Sequence, residues 1–160
     1  MTPATRRAEE QAVYEFARAW NTLDPELIIA HLADDAVYES QNVLEPLRGR
    51  EAIADYLRGK MATIRAHPEA AVRAELGYVG DQYGQAAMLG FPGQMTGRPC
   101  VLLAQGASPE PQTLVLLEGD GGRIRRVDVC TVAPAPSRAT RTGVYLGLSG
   151  TGQNAERRVP

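Results

Sequence analysis

Tyr38, Ser40 and Tyr56 are the side chains of this sequence whose types and placement offer carbonyl chemistry. Two phenols and a hydroxyl can donate hydrogen bonds to a ligand oxygen, and donors aimed at a carbonyl are the minimum that polarises it. Tyr38 and Ser40 lie two apart in a strand-like segment and so share a face, with Val37 and Glu39 on the other. They offer two readings, a pair of ligand contacts or an aromatic packed on a helix beside a backbone-bonded serine, and the sequence leaves both open. Glu39 is the carboxylate nearest this position, but alternation turns it away toward a surface or structural role. Trp20 closes an amphipathic stripe, as core or as the wall of a pocket. Tyr56 sits on a helix, with a hydroxyl that needs a partner or water if buried.

Other chemistries lack their residues. His31 lies on a short helix and His67 at a helix end, neither with Cys or carboxylate neighbours at ligand spacing, so no metal and no cofactor is expected. The sequence contains no Gly-rich phosphate loop, no Gly-x-Ser-x-Gly elbow and no His-Glu-x-x-His. Gly90-Phe-Pro-Gly93 and Gly97-Arg-Pro99 read as turns. Cys100 and Cys130 lie inside apolar runs and read as buried free thiols rather than as a bridge or a nucleophile.

The elements that position these residues follow from periodicity. Val13, Phe16, Ala17 and Trp20 fall at i, i+3, i+4 and i+7, which predicts a helix with one core face. Asp24-Pro25-Glu26 reads as an N-cap, a proline at the first helical position and an acid at the positive end of the dipole, starting a second helix through about Leu32. Asp34 and Asp35 read as a solvated turn before a strand at Ala36–Ser40. Gly49 opens a third helix whose buried stripe is Ile53, Tyr56, Leu57, Lys60, Met61 and Ile64, closed by His67-Pro68.

After Pro68 the pattern alternates. Val72, Ala74, Leu76 and Tyr78 share a face, and strands are expected at Ala86–Phe91, Pro99–Gln105, Thr113–Glu118 and Arg123–Val132. Glu118-Gly-Asp-Gly-Gly-Arg123 is a hairpin turn. Helices first and an antiparallel meander second predict an α+β fold, a curved sheet wrapped around the third helix. Val127 and Val129 face inward on the last strand; Arg126 and Asp128 face outward.

With 160 residues, 17 Lys and Arg and 19 Asp and Glu, the formal charge is -2. A single domain of this length buries roughly two thirds of its unfolded surface. No concentrated positive field exists for nucleic acid, and no apolar run spans a membrane. Met1–Arg7 is not followed by an apolar segment of signal-peptide type, so a cytoplasmic location is expected.

The order Phe16-Ala-Arg-Ala-Trp20, Asp24-Pro-Glu-Leu, Leu32-Ala-Asp-Asp-Ala-Val-Tyr38 and Gly49-Arg-Glu-Ala-Ile53 resembles the nuclear transport factor 2-like superfamily, the cone-shaped fold of ketosteroid isomerases and polyketide cyclases. The resemblance covers about Thr5 to Val132. It implies residues 1–133 as the domain and 134–160 as a Pro/Gly-rich C-terminal tail, with three helices in the concave face of the sheet. It places the pocket in the mouth of the cone, lined by the first and third helices and the inward sheet face, which makes Phe16, Trp20, Tyr38, Ser40, Tyr56, Val127 and Val129 the expected ligand-binding residues. A gapless placement from Phe16 to Ile53 puts the isomerase oxyanion tyrosine on Phe16, its aspartate base on Ser40 and its second oxyanion donor near Leu114. None of the three can perform that role. Tyr14 cannot replace Phe16, since two residues turn a helix by about 200°.

No catalytic residue is therefore assigned. The expected function is a small-molecule-binding or dimerisation module with an apolar cone-shaped pocket and no isomerase chemistry. The alternative is an enzyme of polyketide cyclase or dehydratase kind that acts on a small hydrophobic carbonyl compound through Tyr38, Ser40 or Tyr56. Runs such as Val101-Leu-Leu-Ala104 and Leu114-Val-Leu-Leu117 are apolar on both faces, so a homodimer through the outer sheet face is expected, with Val144-Tyr-Leu-Gly-Leu148 as the alternative cover.

Overall fold

The computed structural model describes residues 3–41, 45–79, 97–131 and 139–148. The order is α1 (Pro3–Thr22), α2 (Glu26–Ile29), β1 (Leu32–Ser40), β2 (Leu47–Arg48), α3 (Arg50–Ala66), a 3-10 turn at Pro68–Ala70, β3 (Val72–Val79), β4 (Arg98–Gln105), β5 (Thr113–Asp120), β6 (Arg123–Cys130) and β7 (Ala139–Arg141). Among the described residues the strands form one sheet in the order β2-β1-β6-β5-β4-β3-β7, antiparallel except where β1 runs parallel to β6. Three helices pack against this curved sheet, an α+β architecture.

The core forms where the periodicities meet. Val13, Phe16, Ala17 and Trp20 of α1 and Ile53, Leu57, Met61 and Ile64 of α3 are buried against Ala74, Leu76, Val101, Val115, Leu117, Val127 and Val129. At the end of α1 the Asp24 N–H reaches back to the Ala19 carbonyl (2.9 Å), a Schellman closure that holds Leu23 at φ 54°, in the left-handed region that disfavours a Cβ. The Asp24 carboxylate then accepts from the Glu26 N–H (3.1 Å), which starts α2 as its sequence predicts. Between β5 and β6, Gly121 and Gly122 sit at φ 57° and 80°, the two left-handed positions of a tight primed hairpin turn.

Several expectations change. The second helix ends at Ile29 rather than near Leu32, and β1 begins at Leu32 rather than Ala36. The Ile124 N–H donates to the His31 carbonyl (2.6 Å) and Leu32 pairs with Ile124, so β6 captures the chain early. The register shifts between Leu32 and Val37, and this irregularity lets Asp34 and Asp35 stay exposed inside a strand instead of forming a turn before it. Lys60 is exposed rather than part of the buried stripe of α3, and Ala54 is buried in addition to the expected residues. The strand expected at Ala86–Phe91 and the turn at Gly90–Gly93 lie outside the described residues.

The segment 139–148, set apart as tail in the sequence, is joined to the domain. β7 pairs with β3, and Val144 and Leu146 are buried in the main core. Asn21 clamps both sides of this junction, accepting from the Ala74 N–H (2.7 Å) and donating to the Ala74 and Leu146 carbonyls (2.9 and 2.8 Å). On the outer sheet face Glu75 is only 2 % exposed. Its carboxylate accepts from Arg141 Nε (2.9 Å), the Tyr145 hydroxyl (2.9 Å) and the Gly143 N–H (2.8 Å). Cys100, Leu102 and Leu114, on that same face, are buried within a single chain. Their apolar character alone therefore does not require a second copy to cover them.

Candidate functional site

A cavity of about 130 Å³ opens at the end of the cone where the last turn of α1, the C-terminal ends of β1, β4 and β6, and the start of β5 meet the middle of α3. Trp20, Tyr38, Ser40, Tyr56 and Val129, all expected from the sequence, line it. The period of two puts Tyr38 and Ser40 on its wall, and the parallel register sets Ser40 beside Val129. Phe16 and Val127, the other two expected residues, do not line it. Both are fully buried, with the Phe16 ring 6.3 Å from that of Trp20. Glu39 faces outward, exposed and ion-paired with Arg126, which also binds Asp128 at 3.0 Å.

Lys60, expected on the stripe of α3, and Val72, Leu103, Gln105, Gln112 and Thr113, none of them singled out as pocket residues from the sequence, complete the lining. Lys60 is one helical turn after Tyr56, so the two share a face of α3. Leu103 is legible in hindsight through its alternation with Val101. The two glutamines sit at the end of β4 and in the loop after it, where no period applies. The Gln105 side chain donates to the Ala70 carbonyl (3.1 Å), and its backbone N–H donates to Gln112 Oε1 (3.1 Å). These bonds tie the rim together.

The two phenols act as a pair. Their rings lie 5.3 Å apart at 51°, and their hydroxyls share a hydrogen bond. Burial, then the Tyr56 charge and that hydrogen bond, push the Tyr38 phenol well above its usual range. Burial also raises Tyr56, opposed by the shared bond. Both stay protonated at neutral pH and serve as donors, not bases. One shared bond engages one of the two O–H groups, so one phenolic donor is left for a third group.

Trp20 is 4 % exposed, and its indole Nε1 is buried with no hydrogen-bond partner among the described residues. Leaving such a donor unmatched costs about 1–3 kcal/mol. Among the described residues the lining carries no carboxylate and no imidazole, and no group of His, Cys, Asp and Glu is placed to hold a metal. Cys100 lies outside the cavity, its thiol pushed up to about 12 chiefly by burial, which removes it as a nucleophile. Leu114, matched in the sequence to an oxyanion donor, belongs to the outer-face cluster.

A SnoaL-like domain model matches residues 13–133 of the sequence. The chain belongs to that family. The SnoaL-like family lies within the nuclear transport factor 2-like superfamily. Among solved structures, this SnoaL-like chain is similar to a SnoaL-like protein of unknown function from Burkholderia thailandensis, at 18% identity and TM-score 0.54 over 82% of this chain and 100% of the other. It is also similar to a de novo designed protein with a curved β-sheet, at 19% identity and TM-score 0.52 over 83% and 89% of the two chains. An LEH-like epoxide hydrolase from M. tuberculosis aligns at 23% identity and TM-score 0.48 over 79% and 84%. At these identities the likeness is one of fold. No curated protein matches by sequence.

Proposed function

We propose that this SnoaL-like chain binds a small carbonyl compound in the mouth of its cone and holds it without transferring a proton. The observation that carries the reading is the buried Trp20 N–H, without a partner among the described residues, on a side chain that lines the same cavity as the protonated Tyr56 hydroxyl. Two donors suit one carbonyl oxygen, while Val72, Leu103 and Val129 suit the apolar remainder of the molecule. An apolar cavity of about 150 Å³ takes one benzene ring, so the 130 Å³ here fits a ligand of about five or six heavy atoms, or one end of a larger one. The lining is more polar than the apolar pocket expected from sequence, since Ser40, Thr113, Gln105 and Gln112 join it.

A cyclase or dehydratase needs a group that accepts a proton near neutral pH. Nothing in the described lining supports one: the phenols hold their protons and Glu39 faces outward. The reading extends to a homodimer through the outer sheet face, where Leu116 and Cys130 are half-buried beside the Arg126–Asp128 ion pair.

Calorimetric titration with cyclopentanone tests the ligand class. Saturable binding is expected, weakened about tenfold in Trp20→Phe, as loss of one hydrogen bond predicts. Equal heats for the variant and the parent count against the proposal.

A further inference from the structure

We propose that a second groove, sharing no lining residue with the cone, takes an organic anion with an apolar body. The groove has a volume of about 380 Å³ and lies between α1 and the β5–β6 hairpin. That volume falls within the ~300–1,000 Å³ of small-molecule sites, and it is larger than the cone cavity. Arg7 and Arg123 provide its cationic side chains, His31 adds an imidazole, and Ala8, Ala12 and Ile124 form its apolar part.

Several arginines of this chain are ion-paired, while Arg65, Arg73 and Arg98 bond backbone carbonyls. Arg58 holds Glu26 at 2.8 Å, Arg125 holds Asp35 and Asp120 at 3.4 and 3.5 Å, and Arg126 and Arg141 each hold carboxylates of their own. Arg7 has no carboxylate partner among the described residues, and Arg123 makes only a 3.4 Å bond to the Leu32 carbonyl. In a chain with formal charge -2, two guanidinium groups without a carboxylate face one groove. A guanidinium presents its donors as a fork that matches a carboxylate, which sets the ligand's charged end.

Glu15 also lines the groove, but its carboxylate accepts from Gln11 Nε2 at 3.0 Å. It stands eight residues from Arg7, about 12 Å along the helix, so it repels an anion weakly at the Arg7 end. The apolar floor follows from spacing: Ala8 and Ala12 are one turn apart, and their small side chains let the hairpin approach. Gly122, at φ 80°, closes the groove with backbone alone, and a Cβ there would meet nothing within 4 Å.

The test is amide chemical-shift titration of the full chain with 4-phenylbutyrate, with neutral 4-phenylbutanamide and inorganic phosphate as separate arms. Saturable shifts are expected at His31, Gly119, Gly122 and Ile124 with the carboxylate. The amide and phosphate are expected to bind at least about tenfold more weakly. Arg7→Gln and Arg123→Gln, both on exposed side chains and checked for unchanged melting temperature, are each expected to weaken 4-phenylbutyrate about tenfold, as loss of a charged hydrogen bond predicts. Binding should also weaken as salt rises. Absence of saturable shifts in the groove, equal binding of the neutral amide or of phosphate, shifts confined to Trp20, Tyr56 and Leu103, or indifference to both arginine variants would each overturn the proposal.

Discussion

Trp20, Tyr38 and Tyr56 set the chemistry of the cone cavity, because all three are hydrogen-bond donors and none accepts a proton at neutral pH. A Δ5-ketosteroid assay is accordingly expected to show no conjugation above the uncatalysed rate. Phe16 is buried core, Ser40 has no carboxylate beside it in the described lining, and Leu114 belongs to the outer-face cluster. Turnover that Ser40→Ala abolishes would contradict this reading. The phenols also set a pH dependence. Tyr14 is pushed from 10.0 up to about 12, mainly by burial, and Tyr38, Tyr56 and Tyr78 are raised for the same leading cause. A group whose folded value is raised contributes its stability fully below the unfolded value and loses it as pH rises toward the folded one. Melting temperature should therefore fall from about pH 10 upward, through about 12 for Tyr14. Tyr14→Phe should flatten that slope, and an unchanged slope would remove Tyr14 as its source.

At the scale of elements, β3 and the segment after β7 depend on Glu75 and Gly77. Glu75→Ala removes the acceptor of three bonds, leaving Arg141 with Glu110 (2.9 Å) and with the Tyr145 hydroxyl (3.3 Å). Breaking a buried pair costs about 3–5 kcal/mol, and the partial exposure of Arg141 reduces the expectation to about 2–4 kcal/mol in thermal or urea denaturation. Gly77→Ala places a Cβ 2.9 Å from Leu102 Cδ1 and 3.0 Å from the Thr140 carbonyl. It should push β7 off β3 at a cost of about 1–3 kcal/mol, with loss of amide-exchange protection at Thr140 and Arg141. Unchanged stability in both variants would contradict the docked segment.

Neither residue's role was legible in the sequence. Alternation placed Glu75 opposite the core, where an acid reads as solvated, and its partner Arg141 lies 66 residues away. By contrast Trp20, Tyr38, Ser40 and Tyr56 were found because periods of 3.6 and 2 fix which side chains share a face. Lys60 was placed on the stripe of α3 with Tyr56 but expected buried rather than exposed at the cavity, while Gln105 and Gln112 were missed because polar residues at strand ends and in loops carry no such period. The early start of β1 was hidden by Asp34 and Asp35, which resemble a turn until the irregular pairing with β6 accounts for them.

For the whole molecule, the cover of the sheet is the open balance. Val144 and Leu146 are buried in the core, so a chain ending at Pro136 loses two apolar side chains together with the partners of Glu75. Burial of two such side chains contributes roughly 3–6 kcal/mol, and the shortened chain should melt well below the full one and aggregate. Light scattering of the full chain is expected to give a dimer. A full-length monomer would reject the outer-face interface, and a shortened chain of unchanged stability would reject the strap. No helix among the described residues is long and apolar enough to cross a membrane. The most direct test of the cone as a carbonyl site is a crystal structure of the protein soaked with cyclopentanone. The account predicts the ketone between Trp20, Tyr56 and Val129, with its oxygen within hydrogen-bond distance of Trp20 Nε1; a ketone bound elsewhere, or a water alone on that nitrogen, would contradict it.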